Sequence, residues 1–313
     1  MNRKKTVIII VGPTASGKTD LSLHLASRYN TSIISADSRQ CFKEMDIGVA
    51  KPSEAALKAI KHYFINSHSI HDKINAQVFE EYALDAVAEI FEHNDIAVMV
   101  GGTGMYIKAF CEGLDAIPEI DLSVRDEIAK NYKTEGLSWL QEEVKRKDPM
   151  FWDRAEQQNP QRLMRALEVI NATGVSIIQF RRLQKKERPF QIVKVGIEIP
   201  KAQLHLNIDK RVDEMIEKGL VAEVTLLKPY KEMNALQTVG YKEIFQYLEG
   251  EISLEESIRQ IKSNTKQYAK RQVTWFKKDK SIYPMVSEEK ELNISTGIFL
   301  SKVDEILASE GIL

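Results

Sequence analysis

The chain has few cysteines and no long apolar run. Its 313 residues include only Cys41 and Cys111, too few for a disulfide framework or a zinc site built from thiolates, so both are predicted to be small buried side chains. No run approaches the roughly 18 apolar residues that a membrane-spanning helix needs, and the first residues do not have the pattern of a signal peptide. The sequence therefore predicts a cytoplasmic protein without a membrane partner.

An excess of positive charge is also lacking. Lysine and arginine total 44 against 45 aspartate and glutamate residues, a net charge of -1, which disfavours indiscriminate nucleic-acid binding. Positive charge is concentrated between Arg259 and Lys280, where Asp279 is the one acidic residue and where Tyr268 and Trp275 are interleaved. This segment is either a solvated helix face or a surface for RNA, whose bases stack on aromatic rings. The lysines that recur every four residues along it are Lys262, Lys266 and Lys270.

A phosphate-binding loop lies near the N-terminus. An octapeptide with the pattern G-x-x-x-x-G-K-[ST] directly follows the apolar run Val7–Val11, which is typical of a buried strand, and precedes the helical composition of residues 20–29. The predicted diphosphate- or nucleotide-binding residues are Gly12, Pro13, Thr14, Ala15, Ser16, Gly17, Lys18 and Thr19. Backbone N–H groups at the helix start and the Lys18 ammonium would attract anionic oxygens, and the Thr19 hydroxyl could bind a Mg²⁺ that bridges them.

Strands and helices alternate beyond this loop. The predicted strands are Ser32–Ala36, Tyr63–Asn66 and Ile96–Val100, and the apolar spacing of Ala76–Glu92 predicts a helix. Such alternation indicates an α/β fold, a P-loop NTPase-like parallel sheet with helices on both faces, in which ligands bind at the carboxyl ends of the strands. The phosphate loop, Asp37 and Thr103 are therefore predicted to meet at that end of the sheet.

A change of pattern from Pro118 to about Pro189 indicates an inserted, mainly helical domain, because helical periodicity with many charges replaces the strand signals. We therefore predict a P-loop core domain at residues 1–117 and 190–313 and an inserted domain at residues 118–189. The helices predicted in the insertion include Leu122–Lys133 and Leu137–Lys147. A strand is predicted at Ile192–Ile199, and the remainder is predicted to be mainly helical. The predicted C-terminal helices are Ile208–Leu227, Gln237–Leu248, Leu254–Phe276 and Ser301–Ser309.

The residues that follow the predicted strands limit the reactions that the protein can catalyse. Nucleotide hydrolases with this loop usually carry a Mg²⁺-linked acid at the end of another strand, yet Ile96–Val100 is followed by Gly101-Gly102-Thr103 and offers no carboxylate. Asp37 follows the second strand, and an aspartate, ordinarily ionised at neutral pH, is a candidate general base or metal ligand. A capping role for Asp37 is equally compatible with the residues. A small-molecule kinase and a nucleotide-dependent RNA-binding switch both remain open at this point.

Several motifs in fixed order resemble those of the bacterial tRNA dimethylallyltransferases. Beside the phosphate loop they comprise Ser35-Ala36-Asp37-Ser38-Arg39-Gln40, Met45-Asp46-Ile47-Gly48, Gly101-Gly102-Thr103-Gly104-Met105-Tyr106, Asn159-Pro160-Gln161-Arg162-Leu163-Met164-Arg165, Val239-Gly240-Tyr241 and Lys270-Arg271-Gln272-Val273-Thr274-Trp275-Phe276. The resemblance extends from about Val7 to Phe276, almost the whole chain. Departures that bear on packing and substrate preference occur at Cys41-Phe42, Val49 and His62-Tyr63-Phe64-Ile65-Asn66.

The resemblance implies transfer of a dimethylallyl group from dimethylallyl diphosphate to the exocyclic amino group of the adenosine 3′ of the anticodon in tRNA, with release of pyrophosphate. It implies that the loop holds the diphosphate with Mg²⁺ on Thr19, that Asp37 is the general base, and that Thr103 and Arg211 complete the catalytic set. The implied tRNA-binding residues are Asp37, Ser38, Arg39, Gln40, Thr103, Arg125, Gln161, Arg162, Leu163, Met164 and Arg165. The implied partner is the tRNA anticodon stem-loop, bound by a monomer.

Overall fold

A computed structural model describes residues 4–115, 117–180, 185–286 and 295–313 of the chain. The chain divides into two units. The first unit combines Met1–Cys111 with Glu187–Leu313, and the second comprises Glu112–Lys186. The parallel sheet and the phosphate loop lie in the first unit, and each unit has a hydrophobic core of its own.

The described residues of the first unit form a six-stranded sheet. The strands are β1 (Thr6–Val11), β2 (Ile33–Ser35), β3 (His62–Tyr63), β4 (Ile96–Gly101), β5 (Gln191–Glu198) and β6 (Ile282–Val286). Their order is β3-β2-β4-β1-β5-β6, and every neighbouring pair is parallel. The predicted parallel α/β sheet is confirmed, and the strand that leads into the phosphate loop lies between β4 and β5.

Helices connect these strands and build the second unit. In chain order they are α1 (Lys18–Arg28), α2 (Glu54–Ala59), α3 (Ala76–Phe91), α4 (Gly104–Glu112), α5 (Leu122–Lys147), α6 (Pro149–Trp152), α7 (Pro160–Thr173), α8 (Ile177–Phe180), α9 (Lys201–Glu217), α10 (Leu220–Leu227), α11 (Tyr241–Leu248), α12 (Leu254–Phe276) and α13 (Thr296–Ser309). Short 3₁₀ turns lie at Ile47–Val49, Lys228–Tyr230 and Asn234–Leu236. The helix predicted at Leu254–Phe276 is confirmed.

Helices cover the sheet on both faces, as predicted. The central strand β1 is an uninterrupted apolar run after Thr6, in which Ile9 enters a core with Phe79 of α3 and Ile10 enters a separate core with Leu25 of α1 and Phe299 of α13. Successive side chains of a strand point to opposite faces, so a strand that is apolar throughout needs a packed layer on each side. The phosphate loop therefore leaves a rigid, doubly covered strand.

Glycines set two helix boundaries that the sequence analysis placed wrongly. The predicted helix Ile208–Leu227 is in fact two helices, α9 and α10, because Gly219 has a φ of 100° and takes the left-handed conformation that ends helices. The helix predicted from Gln237 begins only after Gly240, whose φ is 95° and whose N–H donates to the Glu243 carboxylate (2.8 Å). The last helix begins earlier than predicted, at Thr296.

Two strands also differ from the prediction. β3 is shorter than predicted because Phe64 (φ 60°) and Asn66 (φ 52°) take left-handed backbone conformations that end the strand. β6 lies between the last two predicted helices, where no strand was predicted, and it is an edge strand that contains Pro284 and buries only Met285. Proline and the lack of apolar alternation hide such an edge strand from pattern analysis. Cys41 is buried as predicted, whereas Cys111 is only half-buried.

The second unit is helical in its described residues, α5 to α8. Gly136 (φ 78°) interrupts α5 between the two stretches that the sequence predicts as separate helices. Asn159 caps α7 by accepting the Arg162 N–H (3.3 Å), and Pro160 occupies the first helical position. No helix among the residues that the structure describes combines the length and the apolar character required to cross a membrane.

Candidate active site

The phosphate loop connects β1 to α1 at the carboxyl end of the sheet. Gly12 (φ 154°), Ala15 (φ 61°) and Gly17 (φ 81°) have positive φ values, which glycine adopts readily and alanine does not. Asn207 on α9 donates its side-chain N–H to the Ala15 carbonyl oxygen (3.1 Å) and so stabilises the unusual backbone there. The first N–H groups of α1, which have no intrahelical partners, follow directly and form a site for an anion.

Lys18 is the first residue of α1, and its ammonium group bonds to the loop. It donates to the Pro13 carbonyl oxygen and to the Ser16 hydroxyl (3.3 Å). Burial, together with repulsion from the Arg211 guanidinium, lowers the pKa of Lys18 to about 7, and attraction to Asp37 opposes this shift. A substantial fraction of Lys18 is therefore neutral near pH 7, and a bound phosphate anion would restore its charge.

Arg211 on α9 brings a second cation to the loop. Its Nη1 atom donates to the Thr14 hydroxyl (3.3 Å). Burial lowers the pKa of Arg211, although a guanidinium remains protonated in proteins, and nearby carboxylates, Asp37 among them, oppose the shift. The structure thus places the predicted residue Arg211 beside the phosphate loop. The sequence around Arg211 does not by itself indicate this contact.

Asp37 follows β2 and lines a cavity of about 90 Å³ together with Lys18, Thr19 and Arg211. Its Oδ1 atom accepts the backbone N–H groups of Arg39 (2.8 Å) and Gln40 (3.3 Å), so the capping role is present. Among the residues that the structure describes, no hydrogen bond reaches Oδ2. One carboxylate can therefore cap the turn through one oxygen and present the other to a ligand.

Thr103 follows β4 and joins that strand end to the Asp37 turn. Its hydroxyl accepts the Ser38 N–H (3.1 Å), and its own N–H donates to the Ala36 carbonyl oxygen (3.2 Å). Tyr268 of α12 lies nearby, and burial together with the negative charge of Asp37 raises the pKa of its hydroxyl to about 12. Thr103 thus lies beside the Asp37 turn. This is the carboxyl end of the sheet, where a residue that directly follows a strand is expected.

Gln40 is engaged within the protein. Its Nε2 atom donates to the carbonyl oxygens of Val49 (3.2 Å) and Ala50 (3.1 Å), and its Oε1 atom accepts the Ser35 hydroxyl (3.0 Å). Val49 and Ala50 line the small cavity beside Asp37. Gln40 therefore shapes the cavity wall, and its predicted contact with a base stays a prediction.

Glu223 of α10 holds residues 46–48, which directly precede Val49 and Ala50 of this wall. Its carboxylate accepts the backbone N–H groups of Asp46 (3.1 Å), Ile47 (2.7 Å) and Gly48 (3.1 Å), as well as the Tyr241 hydroxyl (2.5 Å). A Cβ atom at Gly48 would lie 2.5 Å from the Tyr241 ring, so only glycine fits there. Glu223 was not predicted from the sequence, because no motif marks a lone glutamate within the apolar run Leu220–Leu227.

A larger cavity of about 670 Å³ lies beside the small one in the first unit. Both are lined by Gly17, Thr19, Ala50 and Arg211, so they adjoin at the start of α1. Lysines and carboxylates share the wall of the larger cavity, among them Lys43, Lys51, Lys218, Asp46, Glu54 and Glu214. An elongated ligand anchored at the phosphate loop thus has room to extend.

Thr19 is the candidate Mg²⁺ ligand. No group of three or more His, Cys, Asp or Glu side chains suited to a metal occurs in residues 4–115, 117–180, 185–286 and 295–313. Thr19 lines both cavities at the start of α1. Mg²⁺ commonly keeps several waters and takes substrate phosphate oxygens as ligands, so one protein hydroxyl fits this ion when a diphosphate supplies the rest.

Three of the arginines predicted to bind tRNA, Arg125, Arg162 and Arg165, lie in the second unit and form ion pairs there. Arg125 (3.3 Å) and Arg165 (3.0 Å) both contact Glu168, and exposed Arg162 contacts Glu156 (3.4 Å). These partially exposed pairs are weak enough to exchange for phosphate contacts.

One predicted tRNA-binding residue requires correction. Leu163 has no exposed surface and packs in the core of the second unit with Phe151 and Leu167. Its position on the inner face of α7 follows from helical periodicity, because it lies one turn from Leu167. Its side chain is therefore not available to RNA, whereas Gln161 and Arg162 on the same helix are exposed and Met164 is half-buried.

The basic segment on α12 divides into two groups. Lys262 contacts Asp213 (2.7 Å) and Lys266 contacts Asp209 (2.7 Å), both on α9. These two lysines thus join α12 to α9. The sequence suggests either a solvated helix face or a surface for RNA, and a contact between helices is neither. Lys270 and the lysines after α12 are exposed.

Comparison with known proteins relates this geometry to one family. Residues 40–279 match the family model described as IPP transferase. The chain is 42% identical to tRNA dimethylallyltransferase 1 of Bacteroides fragilis, over 89% of this chain and 92% of the relative. It is 44% identical to the tRNA dimethylallyltransferase of Christiangramia forsetii, over 92% of this chain and 95% of the relative.

Solved structures agree with the sequence relatives. The tRNA isopentenylpyrophosphate transferase of Bacillus halodurans superposes with a TM-score of 0.70 at 31% identity, over 98% of this chain and 96% of that one. A eukaryotic dimethylallyltransferase solved while acting on tRNA gives a TM-score of 0.80 over 97% of this chain and 80% of that one. Its identity of 24% supports the shared fold alone.

Proposed function

Since the chain belongs to the IPP transferase family, we propose that it transfers the dimethylallyl group of dimethylallyl diphosphate to the exocyclic amino group of the adenosine 3′ of the anticodon in tRNA. Pyrophosphate is the second product. The observation that carries this proposal is a single cavity in which the phosphate loop, Lys18, Arg211 and Asp37 meet. One chain supplies all of these groups, so a monomer suffices, and the reaction is proposed to occur in the cytoplasm.

The diphosphate binds in the phosphate loop. Negative charge develops on the leaving pyrophosphate as its bond to carbon breaks, and the N–H groups at the start of α1, Lys18 and Arg211 stabilise that charge. Thr19 would hold Mg²⁺, which offsets further charge on the diphosphate when bound. No phosphoryl group is transferred, so the reaction does not require the carboxylate that is missing after β4.

Asp37 acts as the general base. The adenosine amino nitrogen attacks C1 of the dimethylallyl group, a C–N bond forms, and the C–O bond to the diphosphate breaks. The amino group is a weak nucleophile that becomes acidic as the new bond forms, so a carboxylate that accepts its proton assists the step. Asp37 can do this through Oδ2 while Oδ1 continues to hold the turn at Arg39 and Gln40.

The target adenosine has to leave the base stack of the anticodon loop before it can enter the cavity. Unstacking costs a few kcal/mol, less in a loop than in a duplex, and contacts to the surrounding tRNA offset it. The residues proposed to bind the anticodon stem-loop are Ser38, Arg39, Gln40 and Thr103 in the first unit and Arg125, Gln161, Arg162, Met164 and Arg165 in the second.

Transfer of labelled prenyl group tests the proposal directly. The protein is incubated with dimethylallyl diphosphate labelled in the dimethylallyl carbons, unmodified tRNA and Mg²⁺, and the tRNA is digested to nucleosides. We expect the label in one modified adenosine, with one pyrophosphate released per label incorporated. Unlabelled tRNA together with ATP turnover would instead identify a kinase, and label on free adenine nucleotide but not on tRNA would change the acceptor.

Salt dependence separates the two groups of lysines on α12. Replacing exposed Lys270 by methionine is expected to reduce the slope of log affinity for tRNA against log salt by about 1, because one phosphate contact and its counterion release are lost. Replacing Lys262 or Lys266 by methionine is expected to leave that slope unchanged and to lower the melting temperature slightly, since these residues pair with α9. Titrations at several salt concentrations measure the slopes. Equal slope changes for all three variants would contradict the assignment.

A further inference from the structure

Gln272 of α12 connects two loops that come from different strands. Its Oε1 atom accepts the backbone N–H of Thr14 (2.8 Å), and its Nε2 atom donates to the carbonyl oxygen of Gly102 (3.0 Å). The residue is buried, with 6% of its surface exposed. Both ends of a buried amide are thus satisfied, one by the phosphate loop and the other by the turn after β4.

Gly102 makes the close approach of this amide feasible. A Cβ atom at that position would overlap the Nε2 atom of Gln272. The backbone of Gly102 does not have a positive φ, so the requirement for glycine arises from space and not from conformation. The pair Gly102 and Gln272 is therefore complementary in shape as well as in hydrogen bonding.

The amide connects the chains that follow β1 and β4 at a point beyond the last paired residues of the sheet. The pairing of β1 with β4 ends at Val11 and Gly101, beyond which the two chains separate into their loops. Gln272 joins Thr14 to Gly102 just past this last pair. The spacing between the loops is thus fixed at the point where regular strand pairing stops.

One of these loops binds the leaving group in the proposed reaction, and the other lies beside the general base. Thr14 belongs to the loop that binds the diphosphate, and its hydroxyl accepts a hydrogen bond from Arg211. Gly102 precedes Thr103, whose hydroxyl accepts the N–H of Ser38 beside Asp37. A shift between the loops would therefore change the separation of the leaving group from the base.

We propose that Gln272 is a positioning residue that fixes the distance between the diphosphate-binding loop and the residues Asp37 and Thr103. This inference rests on the proposed function. Gln272 also occupies the Thr14 N–H, which leaves the N–H groups at the start of α1 as the donors that receive the diphosphate. It acts through the backbone of both loops, so its loss alters geometry without removing a reacting group.

The variant Gln272→Met tests the proposal because methionine has a similar length and lacks both hydrogen bonds. We expect kcat for dimethylallyl transfer to fall by up to about 10²-fold, the cost of a misplacement on the order of 1 Å, with a weaker affinity for inorganic pyrophosphate and an unchanged affinity for tRNA. Gln267→Met, an exposed position on the same helix, is the matched control. Thermal unfolding of each variant reports whether the fold is retained.

A double-mutant cycle with Gly102→Ala identifies the contact itself. The new methyl group would displace the Gln272 amide, so Gly102→Ala should reproduce the loss of kcat, and the double variant should lose little more than either single variant. Losses that multiply in the double variant would overturn the proposal, as would wild-type kcat and pyrophosphate affinity in a folded Gln272→Met protein. If wild-type protein transfers no prenyl group, the proposed function fails, and the pyrophosphate affinities of the same variants still test the role of Gln272.

Discussion

The variant Asp37→Asn is expected to lower kcat for dimethylallyl transfer by about 10²–10⁴-fold, the usual contribution of a general base, with tRNA affinity nearly unchanged. Asparagine keeps an oxygen that can accept the N–H groups of Arg39 and Gln40, so the turn should persist. Its amide cannot accept the proton that the adenosine amino group loses. Single-turnover rates with labelled dimethylallyl diphosphate measure the chemical step, and tRNA binding is measured separately.

Two comparisons keep this expectation specific to Asp37. Asp85→Asn, which changes an exposed carboxylate on α3, should retain the wild-type rate. Asp37→Ala removes both the base and the cap, so it should lose stability in addition to rate. A single-turnover rate for Asp37→Asn within a few-fold of wild type would rule out Asp37 as the base and leave the cap as its role.

The second large effect is expected at Lys18. Lys18→Met should lower kcat by about 10²–10³-fold, the cost of removing one preorganised donor from a developing negative charge. The loss should be seen in transfer rate and in pyrophosphate affinity, because the proposed mechanism has Lys18 contact the diphosphate in both the ground state and the transition state. Lys302→Met, at an exposed position on α13, is the control and should change neither quantity.

The lowered pKa of Lys18 adds a pH-dependent signature to the same variant. Its pKa is about 7 in the ligand-free protein, against 10.5 for an ordinary lysine. At pH 8 most Lys18 side chains are neutral, so binding of pyrophosphate should be accompanied by uptake of a proton. Calorimetry in buffers of different ionisation enthalpy measures this uptake, and it should be absent from Lys18→Met. Equal uptake in both proteins would show that Lys18 is not the group that titrates.

Stability of the ligand-free protein follows from the same shift. Between pH 7 and pH 10.5 the unfolded chain binds more protons at Lys18 than the folded protein does, so this residue makes stability rise with pH across that window. Below pH 7 both states are protonated, and the full cost of burying the charge is present. Denaturant unfolding at several pH values should show a steeper rise for wild type than for Lys18→Met.

The sequence by itself determined the phosphate loop, the parallel sheet and the family. Eight consecutive residues define the loop, and alternating apolar runs define the strands, because both patterns depend on neighbours along the chain. Asp37 and Thr103 could be assigned to the site for the same reason, since the carboxyl ends of parallel strands share one end of the sheet.

Only the tertiary structure decided which distant side chains complete the site. Gln272 bonds to Thr14 across 258 residues of sequence, and Lys262 and Lys266 pair with acids of α9. The residue types of α12 allow a solvated surface, an RNA contact or a bond to a neighbouring helix, and packing selects among them. Leu163 shows the same limit of sequence-based prediction. Its motif implied a contact with RNA, but Leu163 lies on the helix face that packs into a core.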